Sequence, residues 1–447
     1  MSRIDTVARS TIRMAVPTAL WLSGALALCA ALAIRTPYLF SIRCWALAAV
    51  LCAGALGVAL ASWWLRKNRR PLGWLLLALC AAGPVVALTM EGRFLLQKQR
   101  VLANREAMAR DIGRHLMIGY GTLADVEPLA ANGLIGGIFV TRSNIAARSA
   151  EGLRADIARL QTLRREAGLP PLAIAADQEG GIVSRLSPPL TALPPIGTLA
   201  DHPADQRRAA ALAYGAIHGE ELAALGVTVN FAPVVDLRTD NPTHSLDFGS
   251  QIARRAISDN PATVTEVALA YGEALRQAGV TPTLKHFPGL GGVVEDTHII
   301  GATLHTPTDA LERRDWRPFR EILGRLDAWL MVGHATLATV DPLAPASLSR
   351  RVVGGLLRAD WGYQGIIVTD DMTMGAVFNG GLCRGAVAAL NAGVDILLVS
   401  YDWEQTFPAL DCLIDAGRDG RLDSAALAQS RRRLDAIRLG AMKAALP

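Results

Sequence analysis

Residues 107–447 read as a closed (β/α)8 TIM-type barrel, preceded by three transmembrane helices. Three observations predict this architecture. After residue 107, eight short apolar runs alternate with longer amphipathic segments, the pattern of parallel strands joined by crossover helices. Polar clusters follow five of those runs, where the C-terminal mouth of a barrel would lie. Before residue 92, three uncharged apolar stretches each have the length needed to cross ~30 Å of hydrocarbon.

The apolar stretches span residues 15–34, 44–65 and 72–90. Arg13, Arg35, Arg43 and the basic loop Arg66-Lys67-Asn68-Arg69-Arg70 flank them, and Trp63, Trp64 and Trp74 sit where an interfacial aromatic belt falls. Pro84 interrupts the third stretch, which membrane helices tolerate. A cleaved signal peptide is the competing reading of the first stretch, but two further spans follow it directly. With the N-terminus inside, the cytoplasmic side holds Arg3, Arg9, Arg13 and the basic loop. The opposite arrangement offers Arg35, Arg43, Arg93, Lys98 and Arg100. The first set is larger, so three spans deliver the barrel to the extracytoplasmic side. The expected domains are a membrane region at 1–92, a linker at 93–106 and the barrel domain at 107–447.

Bulk composition agrees. The chain has 447 residues and is 51% hydrophobic, with a mean hydropathy of +0.27, so part of it belongs in lipid. The net charge of +5 comes without a long basic run and gives no case for nucleic acid. Cys29, Cys44, Cys52 and Cys80 lie in the apolar region and Cys383 and Cys412 beyond it. No pair has CxxC spacing, so neither a zinc site nor a disulfide framework is expected.

Within the barrel, strands are expected at 116–119, 136–140, 172–176, 227–234, 281–284, 329–332, 365–369 and 394–399. Helical patterns at 150–167, 205–225, 262–278, 309–326 and 383–392 separate them. A doubly wound open sheet is the alternative, but no GxGxxG follows the first strand and no Walker A sequence occurs, so a nucleotide fold has no support.

The polar clusters are Asp177-Gln178-Glu179-Gly180-Gly181, Asp236, Lys285-His286, His334 and Asp370-Asp371. After Lys285-His286 the chain runs through a glycine-bearing bend to Asp296-Thr297-His298. Carboxylates and histidines around one mouth suit either a metal-dependent hydrolase or a glycosidase. The first strand lacks His-x-His and the chain lacks HExxH, so no metal or other cofactor is expected. Glycoside hydrolysis needs a nucleophile or base and an acid/base. Asp370, ending an apolar strand, suits the nucleophile. His298 suits the acid/base, with Asp296 orienting its ring. Glu179 reads as an ion-pair partner and Asp371 as structural, while His334 either lines the pocket or hydrogen-bonds beneath it.

The stretch Lys285-His286-Phe287-Pro288-Gly289-Leu290-Gly291 with Asp296-Thr297-His298 resembles the signature of the β-N-acetylglucosaminidase branch of glycoside hydrolase family 3. Other marks of that family follow in order: Asp177-Gln178-Glu179-Gly180-Gly181 with Arg185, Gly333-His334 with Asp341-Pro342, and Val368-Thr369-Asp370-Asp371-Met372. The resemblance implies a retaining exo-β-N-acetylglucosaminidase with a covalent intermediate on Asp370, His298 as acid/base on a mobile loop, and Asp296 as its partner. It also implies that Asp177, Arg185, Arg255, Lys285 and His286 bind the terminal sugar. The sequence departs from the family where Ala256-Ile257 replaces Ser-Phe after Arg255, across 243–253, and at Ile182, where arginine is frequent. The implied setting is the inner membrane of a bacterium, with a carbohydrate substrate derived from peptidoglycan and the lipid bilayer as partners. A β-glucosidase-like specificity and a non-catalytic sugar-binding protein are the alternatives.

Overall fold

A computed structural model describes residues 3–68, 71–146, 149–239, 249–293 and 295–444. Arg69 and Arg70 of the basic loop, and residues 243–248 of the atypical stretch, lie outside the described residues. The chain forms two compact units, Met1–Arg100 and Val101–Pro447.

The first unit is built from α1 (Arg3–Ala33), α2 (Arg43–Asn68) and α3 (Leu72–Ala103). Small residues let these helices approach closely: a Cβ added at Gly54 would overlap the ring of Pro84, and one at Gly57 would crowd the sulfur of Cys80. Arg35 pairs with Glu91 and lies 3.6 Å over the ring of Phe94. Among the described residues two segments, Pro37–Lys67 and Leu72–Ala103, are long and apolar enough to cross a membrane. Two of the three expected spans are thus found, and the described apolar part of the third, in α1, is Pro17–Ala33.

The second unit is a closed barrel of eight parallel strands: β1 (Leu116–Ile118), β2 (Gly137–Val140), β3 (Ala173–Ala176), β4 (Val229–Asn230), β5 (Thr281–Phe287), β6 (Trp329–Val332), β7 (Ile367–Asp371) and β8 (Ile396–Val399). Each strand pairs with the next in sequence, and β8 closes on β1 through Leu116–Leu397, Met117–Leu398 and Ile118–Val399. Met117, Phe139, Ala175, Phe231, Met331, Val368 and Leu398 fill the interior, with Phe139 and Phe231 stacked at 5.5 Å. The lumen is therefore a packed core, and chemistry is confined to the mouth.

Two strands differ from expectation in ways that shape the site. β4 shrinks to two residues because Pro233 has no N–H to continue the ladder. Conversely, β5 runs on through Lys285, His286 and Phe287 instead of stopping at Leu284, and its register with β6 shifts between Leu284 and Phe287. Such a bulge re-aims side chains, and here it falls on Lys285-His286. A second shift, between Val368 and Asp371 where β7 meets β8, falls on Asp370-Asp371. The helix expected at 309–326 is two shorter ones, Thr308–Arg313 and Trp316–Leu323.

A disulfide joins Cys383, on the helix Leu382–Ala392, to Cys412, on the helix Thr406–Arg418, across a Cα–Cα distance of 5.8 Å. This corrects the reading from cysteine spacing. The two residues are 29 positions apart and meet only because their helices are neighbours around the barrel.

Candidate active site

Site-bearing side chains converge at the C-terminal ends of β3, β5, β6 and β7. Asp177 follows β3 and is partly exposed. A short hairpin of Gln178–Gly180 and Val183–Ser184 then returns the chain, and the Arg185 amide donates to the Asp177 carbonyl at 3.0 Å. That bond holds the Arg185 backbone beside Asp177, and its side chain is exposed.

Beneath the rim lies a buried ion network. The Lys285 ammonium, 2% exposed, sits 2.5 Å from Asp177 Oδ1 and 2.6 Å from Glu179 Oε1. Arg255 grips Glu179 in a fork, Nε to Oε2 at 2.9 Å and Nη2 to Oε1 at 2.6 Å. Burial alone would raise the Glu179 carboxyl, but Arg255 and Lys285 outweigh it and hold its pKa below the usual range. Arg255 also donates from Nη1 to the Ser250 carbonyl at 2.8 Å, and its Nη2 lies 3.4 Å from His286 Nε2. Its guanidinium is directed mainly into protein.

His286 is held by Asp236. The Nδ1 donates to Asp236 Oδ2 at 2.7 Å and the backbone N–H to the same oxygen at 3.1 Å, while the Leu290 amide donates to Oδ1 at 2.8 Å. Asp236, fully buried, thus fixes the ring with Nε2 turned toward Arg255.

Asp370 is half-buried at the end of β7. Desolvation pushes its pKa up, yet the neighbouring imidazoles of His286, His334 and His298 bring it down from 3.8 to about 2. The carboxylate is therefore ionised, as a nucleophile must be. Asp371 points away, accepting from the Thr373 amide (2.9 Å) and hydroxyl (2.8 Å), the Ser400 hydroxyl (2.5 Å) and the Tyr401 amide (2.7 Å). It anchors the turn behind Asp370. His334 donates from Nε2 to the Asp371 carbonyl at 3.0 Å and accepts at Nδ1 from the Ser347 hydroxyl at 2.7 Å. Burial lowers its pKa, and its two ring hydrogen bonds brace it beneath Asp370.

Asp296 and His298 form a second carboxylate–imidazole pair. The ring Nδ1 lies 2.8 Å from Asp296 Oδ1 and the His298 amide donates to the same oxygen at 2.9 Å. Asp296 is nearly buried at 6% exposure, whereas His298 is 45% exposed, so its Nε2 is open to a ligand. Backbone bonds seat the loop: the Gly375 amide donates to the His298 carbonyl (2.9 Å), the Ala376 amide to that of Thr297 (3.2 Å), and the Asn379 side chain to that of Ile299 (3.2 Å). The imidazole and the ionised Asp370 thus share one mouth. Among the described residues no cluster of three or more His, Cys, Asp or Glu side chains suits a metal ion.

The structure gathers Asp177, Lys285, His286, Arg255, Asp370, Asp296 and His298 around the mouth and leaves Arg185 on the rim. Sequence reasoning did not assign a role to Asp236, although its position after the fourth strand marked it. Glu179 and Asp371 are the structural partners the sequence suggests.

An eight-stranded parallel barrel with an ionised aspartate and a carboxylate-oriented imidazole at its C-terminal mouth has the groups of a glycoside hydrolase. The chain belongs to glycoside hydrolase family 3: the model of the glycosyl hydrolase family 3 N-terminal domain matches residues 110–437. A β-hexosaminidase of Xanthomonas euvesicatoria is 36% identical over 272 residues, covering 60% of this chain and 77% of its own. A family 3 β-N-acetylglucosaminidase structure from a Paenibacillus species superposes with a TM-score of 0.69 at 32% identity, covering 76% of this chain and 64% of that longer one. A family 3 glycosyl hydrolase from Mycobacterium smegmatis superposes with a TM-score of 0.66 at 32% identity, covering 75% of this chain and 98% of that one.

Proposed function

We propose that the chain is a membrane-anchored, retaining exo-β-N-acetylglucosaminidase. Asp370 attacks the anomeric carbon and forms a glycosyl-enzyme. His298 protonates the leaving oxygen and then activates the water that releases the sugar, with Asp296 orienting the ring and stabilising its protonated form. Asp177, Arg185, Lys285 and His286 hold the hydroxyls of the terminal sugar, and Arg255 braces that set through Glu179. The observation that carries this reading is the Asp296–His298 pair, 2.8 Å apart, in the same mouth as the ionised Asp370. The β-hexosaminidase relative supports the substrate class. The natural substrate on this reading is a glycan derived from peptidoglycan.

The disulfide Cys383–Cys412 supports an extracytoplasmic barrel, because such bonds persist in oxidising compartments. The two apolar helices support anchorage in the inner membrane. Two measurements test the proposal. The full chain in detergent should release phenol from an aryl N-acetyl-β-glucosaminide and much less from the matching glucoside. Asp370→Asn should lower that rate on the order of 10⁴-fold or more, and a variant as fast as wild type refutes the assignment. A compartment-sensitive reporter fused after Pro447 should light up outside the cytoplasm.

A further inference from the structure

We infer that Gly249 is a positioning residue for the Asp296–His298 pair, an inference that rests on His298 being the acid/base. Both donors from His298, the ring Nδ1 and the backbone amide, fall on Asp296 Oδ1. With those alone the carboxylate could turn about its Cβ–Cγ bond and take the imidazole with it. The Gly249 amide donates to the other oxygen, Oδ2, at 2.8 Å. Donors on both oxygens set the plane of the carboxylate, and that plane sets the direction in which His298 Nε2 faces.

Only glycine fits there. A Cβ at position 249 would stand 2.5 Å from His298 Nδ1 and 2.6 Å and 2.8 Å from the two Asp296 oxygens. The flexible side chains it meets are the pair itself, so any larger residue must displace them. The next residue anchors this stretch of backbone: the Ser250 carbonyl accepts from Arg255 Nη1 at 2.8 Å, and Arg255 is held in turn by Glu179. A set of polar contacts therefore runs from Asp177 and Lys285 in the sugar pocket, through Glu179 and Arg255, to the residue that follows Gly249. On this view Arg255 serves the acid/base as well as the sugar pocket.

The test uses the full chain in detergent and a series of aryl N-acetyl-β-glucosaminides, from 2,4-dinitrophenyl to unsubstituted phenyl. The 2,4-dinitrophenolate leaves without a proton, whereas phenol needs one, and kcat/KM reports the step in which the proton is delivered. Gly249→Ala should lower kcat/KM for the phenyl glycoside on the order of 100-fold or more and leave the dinitrophenyl glycoside little changed. Arg255→Lys, which keeps a cation beside Glu179 and drops the bond to Ser250, should steepen the leaving-group dependence in the same direction. It decides the matter should Gly249→Ala unfold in a parallel thermal melt. An unchanged profile, or a loss uniform across the series, overturns the positioning role. A wild-type chain that releases no phenol from any member refutes the underlying reading of function instead.

Discussion

The bridge between Cys383 and Cys412 should stabilise the barrel by an amount its loop length sets. Replacing both cysteines with serine removes a cross-link that closes a 29-residue separation. In the chain-entropy description such a loop stabilises the folded state by ~3.5 kcal/mol. That is a large share of the ~5–15 kcal/mol by which a folded protein exceeds its unfolded chain. For a unit spanning Val101–Pro447, an unfolding entropy of ~2.1 cal/mol/K per residue converts the loss into a fall of roughly 5 °C in Tm. The assay is thermal inactivation of the full chain in detergent, as oxidised wild type, reduced wild type and the Cys383→Ser/Cys412→Ser double variant. The reduced protein and the double variant should coincide, both below the oxidised protein, with kcat little changed because the bridge lies on helices outside the mouth. Equal Tm values for all three refute the argument, as does free reactivity of both thiols toward an alkylating probe in protein recovered from an oxidising compartment.

Three further outcomes follow from the geometry. Glu179→Gln leaves the buried cations of Lys285 and Arg255 without their shared carboxylate, so urea unfolding should show a loss of about 3–5 kcal/mol; a neutral change would mean the network is already broken in solution. Asp236→Ala strands the buried amides of His286 and Leu290 and frees the His286 ring, each lost partner costing about 1–3 kcal/mol, and KM should rise along with the loss of stability. The Asp370 carboxyl is depressed from 3.8 to about 2, so its ionised form, and the stability it contributes, is present above the ordinary value and lost only as pH falls through the folded one. Labelling of Asp370 by a 5-fluoro-N-acetylglucosaminyl fluoride, whose leaving group needs little protonation, should therefore stay level from neutrality down to about pH 4. A sigmoidal decline centred above that point would contradict the role given to the three histidines.

Much of this protein is legible in its sequence because the relevant signals are local. Short apolar runs and amphipathic stretches of period 3.6 announce strands and helices within windows of a dozen residues, and eight apolar runs separated by such stretches imply a barrel. A barrel places its chemistry at strand ends, which is why Asp177, Lys285, His286 and Asp370 can be picked out before any coordinates. At the chain's beginning, two of the three expected spans qualify by apolar length among the described residues.

Tertiary closure decided the rest. Lys285 meets Asp177 across 108 positions and Arg255 meets Glu179 across 76, and no spacing rule anticipates either. The extension of β5 through Phe287, and the bulges that aim Lys285-His286 and Asp370-Asp371, depend on how neighbouring strands register. Cys383 and Cys412 pair because two helices lie side by side, and Gly249 reaches Asp296 because separate loops meet above the mouth. The sequence by itself determined the barrel and the residue types at its mouth, since both follow from short-range periodicity. Which of those residues touch one another was decided only by the folded structure, since hydrogen bonds and ion pairs act over a few ångströms and the chain separates their partners by tens of residues.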